Sequence, residues 1–168
     1  MKYSKLAMEG VATQKIYQSY RNNIEGFMLK SQFREALGEV NRMLFNFPRA
    51  DFAERKYQEI QQKNEAALQN ALDTYKAGRF EEARKKFEDI RRDYPDPGPA
   101  QDAISEIDDV RRKLESDLDK SQELGNWAAL YATAKELTAK FPAHARAKEA
   151  IQTALKEVST RVAAGKEL

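Results

Sequence analysis

Cysteine is absent from this chain of 168 residues, and histidine occurs once, as His144. The first absence removes disulfides, thiolate metal ligands and thiol nucleophiles. The second leaves a zinc site without the nitrogen donors it would need, so neither a metal nor another cofactor is expected. Seven glycines, two of them at repeat turns, leave little for a phosphate cradle, and no GxSxG elbow or HExxH pair occurs. No apolar run approaches the roughly 20 residues that span a bilayer. Met1-Lys2-Tyr3-Ser4-Lys5 opens the chain without the apolar core of a signal peptide. Membrane insertion is therefore not expected. The chain as written favours a cytoplasmic location, with the periplasm open if it is a piece of a longer exported protein. An excess of one charge is missing too. The 29 basic and 27 acidic side chains leave a net charge of +2, and the signs alternate, as in Glu81-Glu82-Ala83-Arg84-Lys85-Lys86. A phosphate-binding surface gathers one sign on one face, so nucleic acid is not an expected partner.

What the chain does hold is a core's worth of apolar residues, 41%, beside an unusually charged remainder, 33%. That combination excludes wholesale disorder and suits a protein made mostly of exposed helix. It also holds a repeat. Phe47-Pro48, Tyr94-Pro95 and Phe141-Pro142 are aromatic–proline pairs 47 residues apart. Phe33, Phe80 and Trp127 keep the same step, and so do Ser31, Gly78 and Gly125. A fixed period of this size signals stacked supersecondary units.

Each unit reads as a long helix, a tight turn at Ser31, Gly78 or Gly125, and a short helix stopped by proline. Glycine reaches the positive φ that ends a helix, and proline removes a donor and biases its predecessor away from helix. The expected helices span about 4–29, 32–46, 50–77, 79–93, 99–124, 126–140 and 143–163 by this punctuation. Pro95-Asp96-Pro97-Gly98-Pro99 reads as loop, and no segment has the alternation of a strand. Short-helix apolar positions recur at steps of three and four: Phe33, Ala36, Val40, Met43; Phe80, Ala83, Phe87, Ile90; Trp127, Leu130, Ala134, Leu137. In the long helix Ala103, Ile107, Val110, Leu114, Leu118 and Ser121 run in near-heptad rhythm, which suits antiparallel helical packing. The expected fold is all-α, with about seven helices and units of about 1–47, 48–94 and 95–141 and a capping helix over 142–164, forming one array across 1–168.

Leu72 to Pro95, LDTYKAGRFEEARKKFEDIRRDYP, resembles the second half of a tetratricopeptide repeat through Tyr75, Gly78, Phe80, Ala83, Phe87 and Pro95. The first unit keeps Phe33, Ala36 and Pro48; the third keeps Gly125, Trp127 and Pro142 but has Leu130 at the small-residue position. Two departures stand out. The family's period is about 34 residues, so each long helix here is extended. The small residue expected in the first helix of each unit is Ile24, Ala71 or Leu118. The resemblance implies a right-handed stack of antiparallel helical hairpins and a protein–protein scaffold whose ligands lie on the long helices. It places Arg21, Glu25, Met28 and Leu29, then Leu68, Leu72, Tyr75 and Lys76, then Arg112, Glu115, Asp119 and Gln122 on that face. The family's basic carboxylate clamp is not reproduced by these residues. The competing reading makes Leu68, Leu72 and Tyr75 packing residues.

Candidates for chemistry are few. His144 has no carboxylate beside it in sequence and reads as a surface residue. Asp102, Glu106, Asp108, Asp109, Glu115, Asp117 and Asp119 make one helix acidic, and read mainly as an outer, solvated face or a docking patch for a basic partner. No catalytic residue is expected. The leading expectation is a binding module for a protein or peptide. The alternatives are a spacer or oligomerisation domain of a larger regulatory or envelope protein and an accessory domain beside a catalytic one. Tyr3, Tyr17 and Tyr20 on the N-terminal helix would cap the array or serve self-association. A long helix at either end leads us to expect a piece of a larger protein.

Overall fold

A computed structural model describes residues 2–94 and 96–165, with side chains from residue 10 onward. Pro95 and the Tyr3 side chain, both singled out above, lie outside the described residues. Among the described residues there are seven helices and no strand: α1 Lys2–Leu29, α2 Phe33–Asn46, α3 Asp51–Lys76, α4 Phe80–Asp93, α5 Gly98–Glu123, α6 Trp127–Lys140 and α7 Ala145–Ala163. The expected helices are all present, displaced by no more than two residues at their ends. One boundary is corrected: Gly98 and Pro99 belong to α5, not to the loop. Pro99 sits in the first turn, where its missing N–H removes no helical bond, and the Gly98 N–H donates to Asp96 Oδ1 at 3.3 Å.

The turns after α1, α3 and α5 are the same structure three times. Ser31, Gly78 and Gly125 have φ of 57°, 77° and 62°. Their N–H groups donate to Met28, Tyr75 and Gln122 carbonyls, while the next residues, Gln32, Arg79 and Asn126, donate to Phe27, Thr74 and Ser121. This paired 5→2 and 6→1 bonding satisfies the orphan carbonyls at a helix end and requires the left-handed residue. Short helices also end alike. Phe47, Tyr94 and Phe141 donate to Met43, Ile90 and Leu137. The proline that follows each of Phe47 and Phe141 forces it out of the helical region, to φ −136° and −131°.

The chain divides into two compact units, one drawn from residues 1–69 and 89–98, the other from 70–88 and 99–168. Helices α3 and α4 contribute to both. In the first, α1 packs on α2, Phe33 stacks on Tyr94 with ring centroids 4.7 Å apart, and Tyr17 meets Phe47 edge-on at 5.3 Å. Arg34 holds the end of α4 by donating to the carbonyls of Arg91 (2.7 Å) and Tyr94 (2.9 Å). In the second, α6 packs on α7 and Phe80 stacks on Phe141 at 6.1 Å. The apolar positions read from the sequence are the interior: Phe33, Ala36, Val40, Met43, Phe80, Ala83, Phe87, Ile90, Leu130, Ala134 and Leu137 are buried, and Trp127 is half-buried. Ile24, Ala71 and Leu118 are each fully buried despite their different sizes.

Candidate interaction surfaces

In the first unit, α1 and α3 flank a cleft of about 330 Å³ lined by Glu25, Met28 and Leu29 on one side and Lys56, Glu59 and Lys63 on the other. The spacing 25, 28, 29 keeps the α1 contributors on one face, since residues three and four apart are helix neighbours. Leu29 is 87% exposed, an apolar side chain offered to solvent at the cleft mouth, and Met28 is half-buried. The rim is charged but balanced. Lys56 donates to Glu59 at 2.6 Å, Lys63 lies 4.0 Å from the same carboxylate, and Arg21 lies 3.9 Å from Glu25. Arg21 also sets its guanidinium 4.6 Å from the centre of the Phe52 ring, and Lys63 stands over Phe33 at 5.9 Å.

In the second unit the corresponding α3 and α5 positions, one repeat step on, are Leu72, Tyr75 and Lys76 and Ala103, Glu106 and Val110. The Tyr75 hydroxyl donates to Glu106 Oε1 at 2.8 Å and so bridges the two helices. Burial first, then this bond and the carboxylate's charge, push the Tyr75 phenol above its ordinary pKa. Leu72 is half-buried, as is Leu68 in the first unit, so the packing reading of these residues has support.

A larger cleft, about 450 Å³, lies in the second unit where α4 and α5 meet the segment between α6 and α7, with Arg84, Lys85, Glu88, Arg111 and His144 among its lining. Its charges are mostly spoken for. Arg84 donates from Nε to Asp108 at 2.8 Å and pairs with Glu88, and the hydrogen bond to Asp108 raises the Arg84 pKa more than burial lowers it. Glu81 accepts from the Ala143 N–H at 3.0 Å. His144 is the N-cap of α7: its Nδ1 accepts from the Ala147 N–H at 3.1 Å, which puts the ring proton on Nε2, and Nε2 donates to Glu115 at 2.8 Å. Partial burial pushes the Glu115 carboxyl up, but the bonds from His144 and Arg111, with the Arg111 charge, outweigh it and hold the group below its usual range.

One expectation is thereby corrected. His144 is not a surface histidine without a carboxylate: its side chain is 10% exposed and faces Glu115. The acidic α5 leaves none of its carboxylates buried, as a solvated face should, but it is not free of partners. Glu106 serves Tyr75, Asp108 serves Arg84, Glu115 serves His144 and Arg111, and Asp119 pairs with Arg146. These carboxylates tie α5 to α3, α4 and α7, which leaves Glu115 and Asp119 poorly free for a partner. Arg112 is exposed and paired with Asp109 on its own helix. Tyr17 and Tyr20 both pack on Phe47, and the Tyr20 hydroxyl accepts from Asn46 at 3.0 Å. What sequence reading missed was the His144–Glu115 and Tyr75–Glu106 bonds, each joining two helices.

Among the described residues no group of three or more histidine and carboxylate side chains is placed to hold a metal ion, and no helix is long and apolar enough to cross a membrane. No protein-family model, curated protein or solved structure matches the chain.

Proposed function

We propose that this chain is a tetratricopeptide-like array, a right-handed stack of antiparallel helical hairpins, whose role is to bind a protein or peptide rather than to catalyse a reaction. The observation that carries the reading is the repetition of packing as well as of sequence. Phe33 on Tyr94 and Phe80 on Phe141 are the same stack, 61 residues apart in each case. Units that complete one another's cores in this way make a rigid surface, and a rigid surface loses little ordering entropy on binding. The docking face is the α1–α3 cleft, where Met28 and Leu29 sit between ion pairs that fix the rim. Methionine adapts its shape to apolar ligands and is enriched at such surfaces. Affinity capture with the wild-type chain and with Leu29→Glu tests the assignment. Leu29 is almost fully exposed, so the variant keeps the fold; capture of the same partners in the same amounts removes this cleft from consideration.

A second reading has an observation of its own. Val11 and Ile16 on α1 are 53% and 52% exposed, and apolar side chains offered to solvent there favour self-association through the N-terminal helix, as in a spacer or oligomerisation domain. Sedimentation velocity over a hundredfold concentration range separates the two: a monomer throughout excludes the second.

A further inference from the structure

We infer that Trp127, together with the α7 face carrying Leu155, Val158 and Val162, is a seat for a short amphipathic helix that ends in an aromatic–proline pair. The inference rests on the repeat reading above but uses a different surface. In both units the first residue of a short helix, Phe33 or Phe80, stacks on the aromatic residue that ends the next short helix, Tyr94 or Phe141. In sequence each of these is followed by proline. At Phe141 the proline drives the aromatic residue to φ −131°, and this extended conformation turns the ring out of its helix. Trp127 is the third such first residue. It is half-buried where Phe33 and Phe80 are buried, and among the described residues no aromatic ring stacks on it; Arg161 stands 6.0 Å from its ring instead.

The α7 face gives an independent reason. On α5, Asp108, Arg111 and Glu115 are engaged by polar partners: Arg84 of α4 bonds to Asp108, His144 at the start of α7 bonds to Glu115, and Arg111 pairs with Glu115 on α5 itself. One repeat step later the same positions on α7 are Leu155, Val158 and Val162. Leu155 is 48% and Val162 61% exposed, with Val158 half-buried. Three charged positions have become apolar ones, left partly in water. The partner they suit brings apolar side chains, and the two occupied seats show its shape: one turn-terminated helix with an aromatic ring before proline.

Trp127 is the chain's single tryptophan, so it reports its own occupancy. The probe is a peptide with this chain's sequence 79–95, RFEEARKKFEDIRRDYP, which has the aromatic–proline end and no tryptophan. Titrated into the 168-residue chain, it shifts Trp127 emission to shorter wavelength in a saturable way. The same peptide with Tyr94→Ala binds at least about tenfold more weakly, the scale of a lost aromatic stack with its buried area. Val162→Asp in the protein, at an exposed site, weakens binding while leaving the helical circular dichroism unchanged. Three results overturn the proposal: no shift at millimolar peptide, equal shifts from both peptides, or a shift that follows protein concentration without peptide, which assigns the seat to a second copy. A Leu29→Glu variant that keeps its partners and still shows the peptide shift sinks the cleft assignment and leaves this seat standing.

Discussion

If the two aromatic stacks are one repeated interaction, they should show comparable coupling although their surroundings differ. The perturbation is a pair of double-mutant cycles, Phe33→Leu with Tyr94→Leu and Phe80→Leu with Phe141→Leu. Leucine keeps each site apolar, whereas Phe→Ala at such positions costs about 3–5 kcal/mol, a large part of the 5–15 kcal/mol of a typical domain. The single substitutions should not agree. Phe80 also touches Tyr75 at 4.9 Å and carries Lys140 over its ring at 4.5 Å, while Phe33 has Lys63 at 5.9 Å. Phe80→Leu should therefore cost roughly 0.5–1 kcal/mol more than Phe33→Leu, from the extra aromatic and cation contacts. The cycles cancel those private contacts and isolate the pair. With centroids at 4.7 Å and 20° between planes, Phe33–Tyr94 should couple by about 1–1.5 kcal/mol; at 6.1 Å and 28°, Phe80–Phe141 should couple by about 0.5–1 kcal/mol. Urea denaturation followed by circular dichroism supplies the free energies. A coupling below about 0.3 kcal/mol in either cycle, within the usual additivity of independent sites, refutes the claim that the stacks are equivalent.

Ser31→Gly should stabilise the chain: the left-handed strain it removes, about 1–2 kcal/mol, exceeds the about 0.5–1 kcal/mol that glycine's greater unfolded-state entropy costs, so the urea midpoint rises at constant slope. Gly78→Ala should do the reverse by about 0.5–1 kcal/mol, from backbone strain alone, because a Cβ there meets no atom within 4 Å. His144→Ala should lose the α7 cap at about 1 kcal/mol, whereas His144→Asn should retain it; faster exchange of the Ala147 amide in the first variant alone is the expected signature, and equal exchange in both counts against the cap. The Glu115 carboxyl, held low in the folded state, contributes stability that is present above the unfolded carboxylate pKa of about 4.3 and is lost as pH falls through its lower folded value. Wild type should therefore lose more stability than Glu115→Gln between pH 5 and pH 3, about the range where such a group titrates; parallel curves would contradict the pairing.

Helix ends were readable because each is written in a residue with a backbone reason. Gly78 and Gly125 sit at positive φ, and proline stands after Phe47 and Phe141. Ser31 was readable only through the period, since serine has no preference for that region. Interior positions were readable because steps of three and four put Phe80, Ala83, Phe87 and Ile90 on one buried face. What escaped was whatever joins helices through polar atoms. His144 reaches Glu115 across 29 residues and Tyr75 reaches Glu106 across 31, and no local pattern encodes either. Histidine is also outside the usual set of N-cap residues, so the sequence offered no sign that His144 would start α7. Nor could it tell that α5's carboxylates would be consumed by Tyr75, Arg84, His144 and Arg146.

The repeat constrains some positions and leaves others free, and the free ones are where binding can differ from unit to unit. First residues of short helices, turn residues and prolines recur because the packing needs them. Position 28 and its counterparts 75 and 122 carry no such demand: they are methionine, tyrosine and glutamine. Tyrosine at this position finds Glu106 and bridges α3 to α5, with its hydroxyl 2.8 Å from the carboxylate. Methionine cannot make that bond, and Glu59, in the place of Glu106, bonds instead to Lys56 on its own helix at 2.6 Å. The α1–α3 cleft is open beside Met28 for that reason. A single residue choice at an unconstrained position therefore decides whether neighbouring long helices are latched or present an apolar notch. Latching the first unit with Met28→Tyr should bond it to Glu59 and close the notch, whereas Tyr75→Phe should remove the corresponding latch from the second.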